Sequence, residues 1–489
     1  MTIPKKPEAT TKQLGSTHIV DDFVHSRVLR GKKQEGKRDG LMSMNCVDKC
    51  LLALDRANEP MIGHIILHLV GKVDPDRLNQ AIQSAQEAYP VMRTFLRNGF
   101  LRPFREIQDD FKGGILTVRQ SADTDYERLL FQWINAPMDI RKGFPLRVLL
   151  LKKNEAECLL VFTLHHSATD GLRLVLFIRH VIDSYNGTVP DDSKSCEDIP
   201  SSRKGDALLE FANSQRHSVQ RYYIKMISSL FRRFVIDAFT PPTRLFHDMS
   251  GHSRELGFCY EVIGAEDLGQ MKTKAGLLGV KLNDILLAAC YRTVEKWNGI
   301  HGKVSRRIRI MVPVNISPKG FRHVVSNQVS WLSLSTAPED RTEAAKLLQK
   351  VGSLSVRAAE NRMAFSLVYF FYFSSRFPLF VMRLGCRLLM ITRTYVDSIV
   401  LSNAGVIWSQ VGSEEPAVTS IGSSRILCVY AFAPVVTPMG LSLAAITYND
   451  NLSISLTYRS ALFSKEKAQQ FLDLYTKEVR DYQVSSEGS

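Results

Sequence analysis

Apolar positions recur along this chain in two spacings, and the spacings predict an alternation of strands and helices. Ile62 to Val70 is an apolar run of strand length. Asp74-Pro75-Asp76 then starts a helix that runs through Leu78, Ala81, Ile82, Ala85 and Ala88. Pro75 suits the first helical turn, where its missing amide hydrogen is not needed. Val91 to Phe95 begins another strand. Val148–Leu151 and Cys158–Leu164, separated by the polar Lys152-Lys153-Asn154-Glu155, predict a β-hairpin. After Gly171, residues Leu172, Leu174, Val175, Leu176, Ile178, Val181 and Ile182 return to helical spacing, ending near Asn186-Gly187.

The second half repeats this character. Helices are predicted over Ala265 to Gly276 and from Lys281 through Cys290, the latter capped by Asn283 or Asp284. Strands follow at Ile308–Val314, Gly440–Ile446 and Leu452–Tyr458, with a closing helix from Lys465. Between the halves, the Asp-, Ser-, Pro- and Lys-rich stretch 188–206 reads as a loop, and a helical region follows to about Phe239. Thr240-Pro241-Pro242-Thr243 must end that helix, since consecutive prolines cannot continue it. The fold class is therefore α/β. The organisation read from the pattern is a flexible basic arm at 1–43, an N-terminal lobe at 44–240 and a C-terminal lobe at 241–489.

Met363 to Ile391 is rich in aromatic residues, but Arg376, Pro378, Arg383 and Arg387 interrupt it. It is not an uninterrupted membrane span. Such a segment lies either in a protein interior or on a bilayer surface, and the basic helix near Tyr222 to Ile236 admits the same two readings.

Composition narrows the classes. Hydrophobic residues at 45% and charged residues at 23% are the proportions of a folded globular protein. A formal charge of +14 favours anionic partners such as phosphorylated small molecules, an acidic protein or an anionic bilayer. Nucleic acid ranks low, because no zinc-ligand spacing or nucleic-acid module accompanies the charge. The eight cysteines form no CxxC pair, which argues for reduced thiols and against a metal centre. The N-terminus lacks the apolar core of a secretory signal, so a cytoplasmic location is expected, with membrane association as an alternative.

The chemistry concentrates where the predicted hairpin ends. His165-His166-Ser167-Ala168-Thr169-Asp170-Gly171 sits on a strand-to-helix turn, placing two imidazoles and a carboxylate at fixed spacing. A lone histidine at a strand end is usually a hydrogen-bonded packing residue; here its neighbours argue for a base. Gly171 is expected where the backbone turns sharply without room for a Cβ.

This run resembles the HHxxxDG signature of the thioester-dependent acyltransferase superfamily, which includes chloramphenicol acetyltransferase, condensation domains, alcohol acyltransferases and wax ester synthases. Tyr89-Pro90-Val91-Met92-Arg93-Thr94-Phe95 resembles the arginine motif upstream of the signature in condensation domains, and Gly143-Phe144-Pro145-Leu146-Arg147 the stretch before the motif strand. Val312-Pro313-Val314-Asn315 and Ser326-Asn327-Gln328-Val329-Ser330 resemble the equivalent strand and loop of the second lobe. The Asp-Phe-Gly-Trp-Gly motif of the plant-type branch is absent; Leu401-Ser402-Asn403-Ala404-Gly405 stands there instead.

The resemblance implies two chloramphenicol-acetyltransferase-like lobes, each a mixed β-sheet with helices, related by a pseudo-twofold axis and enclosing a channel. It implies that His166 is the general base, that His165 is packed, and that Asp170 is structural, paired with an arginine for which Arg93, Arg147 and Arg309 are candidates. Ser402 and Asn403 are candidates for oxyanion or channel contacts. The implied activity is direct transfer of an acyl group to the hydroxyl or amine of a hydrophobic acceptor by a stand-alone enzyme. Acyl-CoA or a phosphopantetheinyl acyl carrier protein would be the thioester donor, and no bound cofactor or metal is implied. The alternative is a catalytically silent docking module.

Overall fold

In the computed structural model, residues 40–56, 59–99, 102–111, 114–121, 125–188, 219–317, 327–360, 363–391, 396–408, 417–436 and 439–484 are described. Of the expected arm at 1–43, residues 1–39 lie outside them, as does the 188–206 loop apart from Thr188. Gly40 to Ser43 are not a free arm: Leu41 and Met42 form a short strand paired with Glu106 and Arg105.

The first half contains β1 (Leu41–Met42), α1 (Cys46–Leu54), β2 (Ile62–Val70), α2 (Pro75–Ala88), β3 (Thr94–Asn98), β4 (Pro103–Ile107), β5 (Leu116–Gln120), α3 (Tyr126–Asn135), β6 (Leu146–Lys152), β7 (Glu157–His165), α4 (Gly171–Asn186) and α5 (Val219–Phe239). The remainder contains β8 (Leu256–Ile263), α6 (Ala265–Leu277), α7 (Leu282–Ile300), β9 (Ile308–Asn315), β10 (Val329–Thr336), α8 (Ala344–Glu360), α9 (Met363–Ser374), α10 (Leu379–Ile391), β11 (Ile399–Val406), β12 (Ser420–Ile421), β13 (Ser424–Phe432), β14 (Leu441–Tyr448), β15 (Asn451–Arg459) and α11 (Lys465–Val484).

Two six-stranded mixed sheets result. One has the order β12-β13-β2-β7-β6-β5, the other β10-β9-β11-β14-β15-β8. β6 and β7 form the expected antiparallel hairpin, with Leu146 opposite Leu164. β7 is central, and every residue after Glu157 is buried, which explains its continuous apolar run. On its other side β2 runs antiparallel to it, setting Ile62 opposite His165.

The division at residue 240 does not divide the sheets. β12 and β13 come from the C-terminal half, yet β13 pairs with β2 along Val70 to His64 and completes the first sheet. Gly71, at φ +124°, lies where β2 ends against β13; a Cβ there would sit 2.7 Å from the Ser424 Cα. Across the two sheets, Tyr260 of β8 meets Tyr430 of β13 with ring centroids 4.3 Å apart.

Asp74 caps α2 by accepting from the Asp76 and Arg77 amides, as the Asp-Pro-Asp pattern predicts. At the start of α7 one of the two expected residues serves. Asp284 reaches back to accept from the Lys281 amide at 3.0 Å, while Asn283 turns to the Asn403 side chain. α5 is fixed by buried charge: Arg309 on β9 pairs with Asp237 of α5 through two bonds (2.8 and 3.0 Å) and with Asp397 (2.6 Å), and Arg307 adds a third bond to Asp237. Burial raises the pKa of Asp397, against the opposing pull of Arg309 and Arg233.

The aromatic stretch Met363 to Ile391 divides in two. α9 buries Val368, Tyr369 and Phe371 against α1, whereas α10 buries only Met382. No described helix is long and apolar enough to cross a membrane.

Candidate active site

His165 and His166 terminate the central strand, and the backbone holds them in opposite roles. The His165 amide donates to the Pro145 carbonyl (2.8 Å) and the His166 amide to the Met61 carbonyl (2.6 Å), which fixes the strand end from both neighbours. The His165 ring is almost wholly buried. Its Nδ1 is 2.9 Å from the Ser167 hydroxyl and its Nε2 is 3.3 Å from Asp55 Oδ1. Burial alone would raise the pKa of Asp55, but the bond and charge of His165, with the Met61 amide and Arg383, hold it below the ordinary carboxylate value. Both nitrogens of His165 are therefore engaged, as the reading of a packed first histidine requires.

His166 is the freer ring. Its Nδ1 is buried without a well-formed hydrogen bond. Burial lowers its pKa below the ordinary imidazole value, and His165 adds to this; its own carbonyl, the Asp170 carboxylate and Asn327 oppose it. The net result is an imidazole that is neutral at pH 7 and able to accept a proton.

The loop that carries the pair is clamped at successive carbonyls. Asn327 donates from Nδ2 to the His166 carbonyl and to Asp48 Oδ1, both at 2.8 Å. Arg105, fully buried, donates to the Ser167 carbonyl and lies 3.9 Å from Asp48. Asp48 is in turn fixed at the start of α1, where Asn45 and Asp48 cap one another. A buried polar network of this kind defines one position for the loop because every alternative strands a polar group.

Asp170 accepts two backbone amides and does not pair with Arg93, Arg147 or Arg309. Its Oδ1 accepts the Arg173 amide (3.0 Å), capping α4, and its Oδ2 accepts the Gln328 amide (2.8 Å) from the chain leading into β10. The three arginine candidates are engaged elsewhere. Arg93 bonds the Gln108 carbonyl and Asp109, Arg147 bonds the carbonyls of Trp133, Ala136 and Pro137, and Arg309 serves the Asp237 and Asp397 pairs. The arginine that matters is Arg173, whose guanidinium reaches Gln328 Oε1 (2.6 Å) and Ser317. Asp170 and Arg173 thus tie the motif helix to Ser317, just after β9, and to Gln328, just before β10.

Gly171 has no cramped turn to justify it. It is the first residue of α4, and a Cβ there would meet nothing within 4 Å. The turn is made by the Asp170 cap. Ser402 and Asn403 lie on β11 in the second sheet, where Asn403 bonds Asn283 (3.2 Å) and the Gly405 amide (2.8 Å). Neither hydrogen-bonds a motif residue.

The sequence reading missed Asp48, Asp55, Arg105 and Arg173 as site residues. Only Asp48 carried a local signal, the Asn-x-x-Asp spacing of a capping box.

The model of the Condensation domain family matches residues 51–369, which include the whole of the motif together with Arg105 and Asn327, while Asp48 lies just ahead of the match. The chain belongs to the condensation-domain family. Among curated relatives, this condensation-family chain is 24% identical over 422 residues to tyrocidine synthase 3 of Brevibacillus parabrevis, covering 84% of the chain and 6% of that protein. It is 20% identical over 361 residues to bacitracin synthase 3 of Bacillus licheniformis, covering 72% and 5%. The chain therefore spans less than a tenth of these relatives.

Solved structures agree on the fold. The first condensation domain of the CDA synthetase aligns with a TM-score of 0.64 at 14% identity, covering 92% of this chain and 97% of that one. A trichothecene 15-O-acetyltransferase from Fusarium sporotrichioides aligns with a TM-score of 0.67 at 11% identity, also covering 92% and 97%. The expected superfamily and its mixed α/β architecture are thus confirmed.

Proposed function

We propose that this condensation-family protein is an acyltransferase that moves an acyl group from a thioester directly to the hydroxyl or amine of a hydrophobic acceptor, with His166 as general base. The observation that carries the reading is the asymmetry of the two histidines: His165 is engaged at both nitrogens, while the His166 ring, clamped at its carbonyl by Asn327, has an Nδ1 with no well-formed hydrogen bond.

A neutral hydroxyl or amine attacks a thioester poorly. As its oxygen or nitrogen forms a bond to the carbonyl carbon, its proton passes to His166 Nε2; the C–S bond then breaks, and the proton goes to the departing thiolate. A base with a depressed pKa is already unprotonated at neutral pH, so it needs no prior deprotonation. No serine or cysteine need carry the acyl group, so donor and acceptor must be bound together. Acyl-CoA or an acyl carrier protein supplies the thioester. The carrier-protein alternative draws support from relatives that are peptide synthases, and the free-acceptor alternative from the acetyltransferase among the structural neighbours.

The test is thiol release from acyl-CoA and from acyl carrier protein, each with a panel of hydrophobic alcohols and amines. Release is expected only with acceptor present, without an acceptor-independent burst. His166→Ala should reduce it by about 100- to 10,000-fold with the far-UV spectrum unchanged. Full activity in that variant would remove His166 as the base, and no turnover with any pair would favour a docking module.

A further inference from the structure

We propose that the outward side of α10, with the turn that precedes it, docks on the surface of an anionic phospholipid bilayer. Phe380, Leu384, Leu388 and Ile391 are all exposed, Phe380 at 71% and Ile391 at 76%. Their spacing of four, four and three residues puts them within one narrow face of the helix. Phe373 and Phe377, ring centroids 5.5 Å apart and both exposed, continue apolar surface through the preceding turn. An apolar row of this length is costly to leave in water.

Charge selects the occupant. From Met363 to Ile391 the chain carries no acidic residue, and Arg376 and Arg387 stand exposed beside the row. The same combination recurs on α5, which packs against α9: Ile227, Phe231 and Phe234 are exposed at helical spacing, with Arg232 exposed and no acid from Val219 to Ile236. Large apolar side chains flanked by arginines suit a bilayer interface, where the apolar groups sink among acyl chains and guanidinium groups meet phosphates. The inner side of α10 anchors the helix to the protein: Met382 is buried, Arg383 acts on Asp55, and Arg56 donates to Met390 Sδ at 3.1 Å. The exposed row is thus held rigidly outward.

The test is flotation of the full chain with phosphatidylglycerol and with phosphatidylcholine vesicles, at low and high salt. Binding is expected to phosphatidylglycerol at low salt, to weaken as salt shortens the screening length, and to be much weaker on phosphatidylcholine. Phe380→Ser with Leu384→Ser should lower partitioning at least about tenfold, and Arg376→Glu with Arg387→Glu should abolish the preference for the anionic lipid. These side chains are exposed, so melting should be unchanged in both variants. Failure to float at low salt would overturn the proposal. So would flotation that both double variants retain. Absence of flotation together with a dimer dissolved by Phe380→Ser, or with capture of an acidic carrier protein, would instead assign the face to that partner.

Discussion

Asp170 shows how one carboxylate can fix the loop that carries the two histidines. Its two oxygens hold two backbone amides from distant parts of the chain, Arg173 at the start of α4 and Gln328 before β10. Replacement by alanine removes a helix cap and leaves the Gln328 amide buried without an acceptor. The combined cost should be about 2–4 kcal/mol. Asp170→Asn keeps one carbonyl acceptor and should lose roughly half as much. Denaturant unfolding measures both, and the pH profile of whatever activity survives should match the parent. An alanine variant with native stability and a displaced pH profile would move Asp170 from support into proton transfer. The arginine expected to pair with Asp170 was misplaced because sequence shows which residues carry charge and not which backbone amides lie within reach. A carboxylate capping a helix leaves the same trace as one in an ion pair.

At the scale of elements, α5 is held by a buried knot of charge. Arg309 and Asp237 are nearly inaccessible, so removing Arg309 takes the buried cation from between Asp237 and Asp397 and leaves the more exposed Arg307 and Arg233 to balance two buried carboxylates. Arg309→Leu should destabilise the protein by about 3–5 kcal/mol and speed hydrogen exchange over α5 before the rest of the molecule. Loss of stability spread evenly over the chain would show that the knot does not anchor that helix specifically. Most elements were legible because their periodicity is strong: the hairpin β6–β7 and helices α2 and α4 lie where spacing put them. The divided nature of Met363 to Ile391 was not, because aromatic content is the same in a core helix and a surface helix; both α9 and α10 pack against α1, and what separates them is that α9 buries Val368, Tyr369 and Phe371 while α10 buries only Met382. Asp284 rather than Asn283 serves the start of α7, since either side chain satisfies the local pattern and the choice depends on Asn403, some 120 residues on.

For the whole molecule, acid sensitivity follows from His64. This residue of β2 is fully enclosed, its Nδ1 3.1 Å from the Thr163 hydroxyl; burial, then the nearby Arg147 charge, lowers its pKa to about 3. Unfolded, it would titrate near 6.5. The unfolded chain therefore binds one more proton than the folded one between these values, and stability falls as pH drops through that window. The loss is on the order of 4 kcal/mol by pH 3. His64→Gln should remove this contribution, so the stability difference between parent and variant should change by about 2–3 kcal/mol between pH 7 and about pH 4.5. An identical difference at both pH values would acquit His64.

The pairing of β13 with β2 has a consequence for how the protein is made. Roughly 350 residues separate Val70 from Ser424, and a ribosome adding about 5–20 residues per second needs on the order of tens of seconds to deliver the missing strand. Throughout that interval β2 presents an open, largely apolar edge to the cell. The nascent chain must avoid edge-to-edge association until Ser424–Phe432 emerges, so shielding during translation bears on its yield alongside the stability of the finished fold.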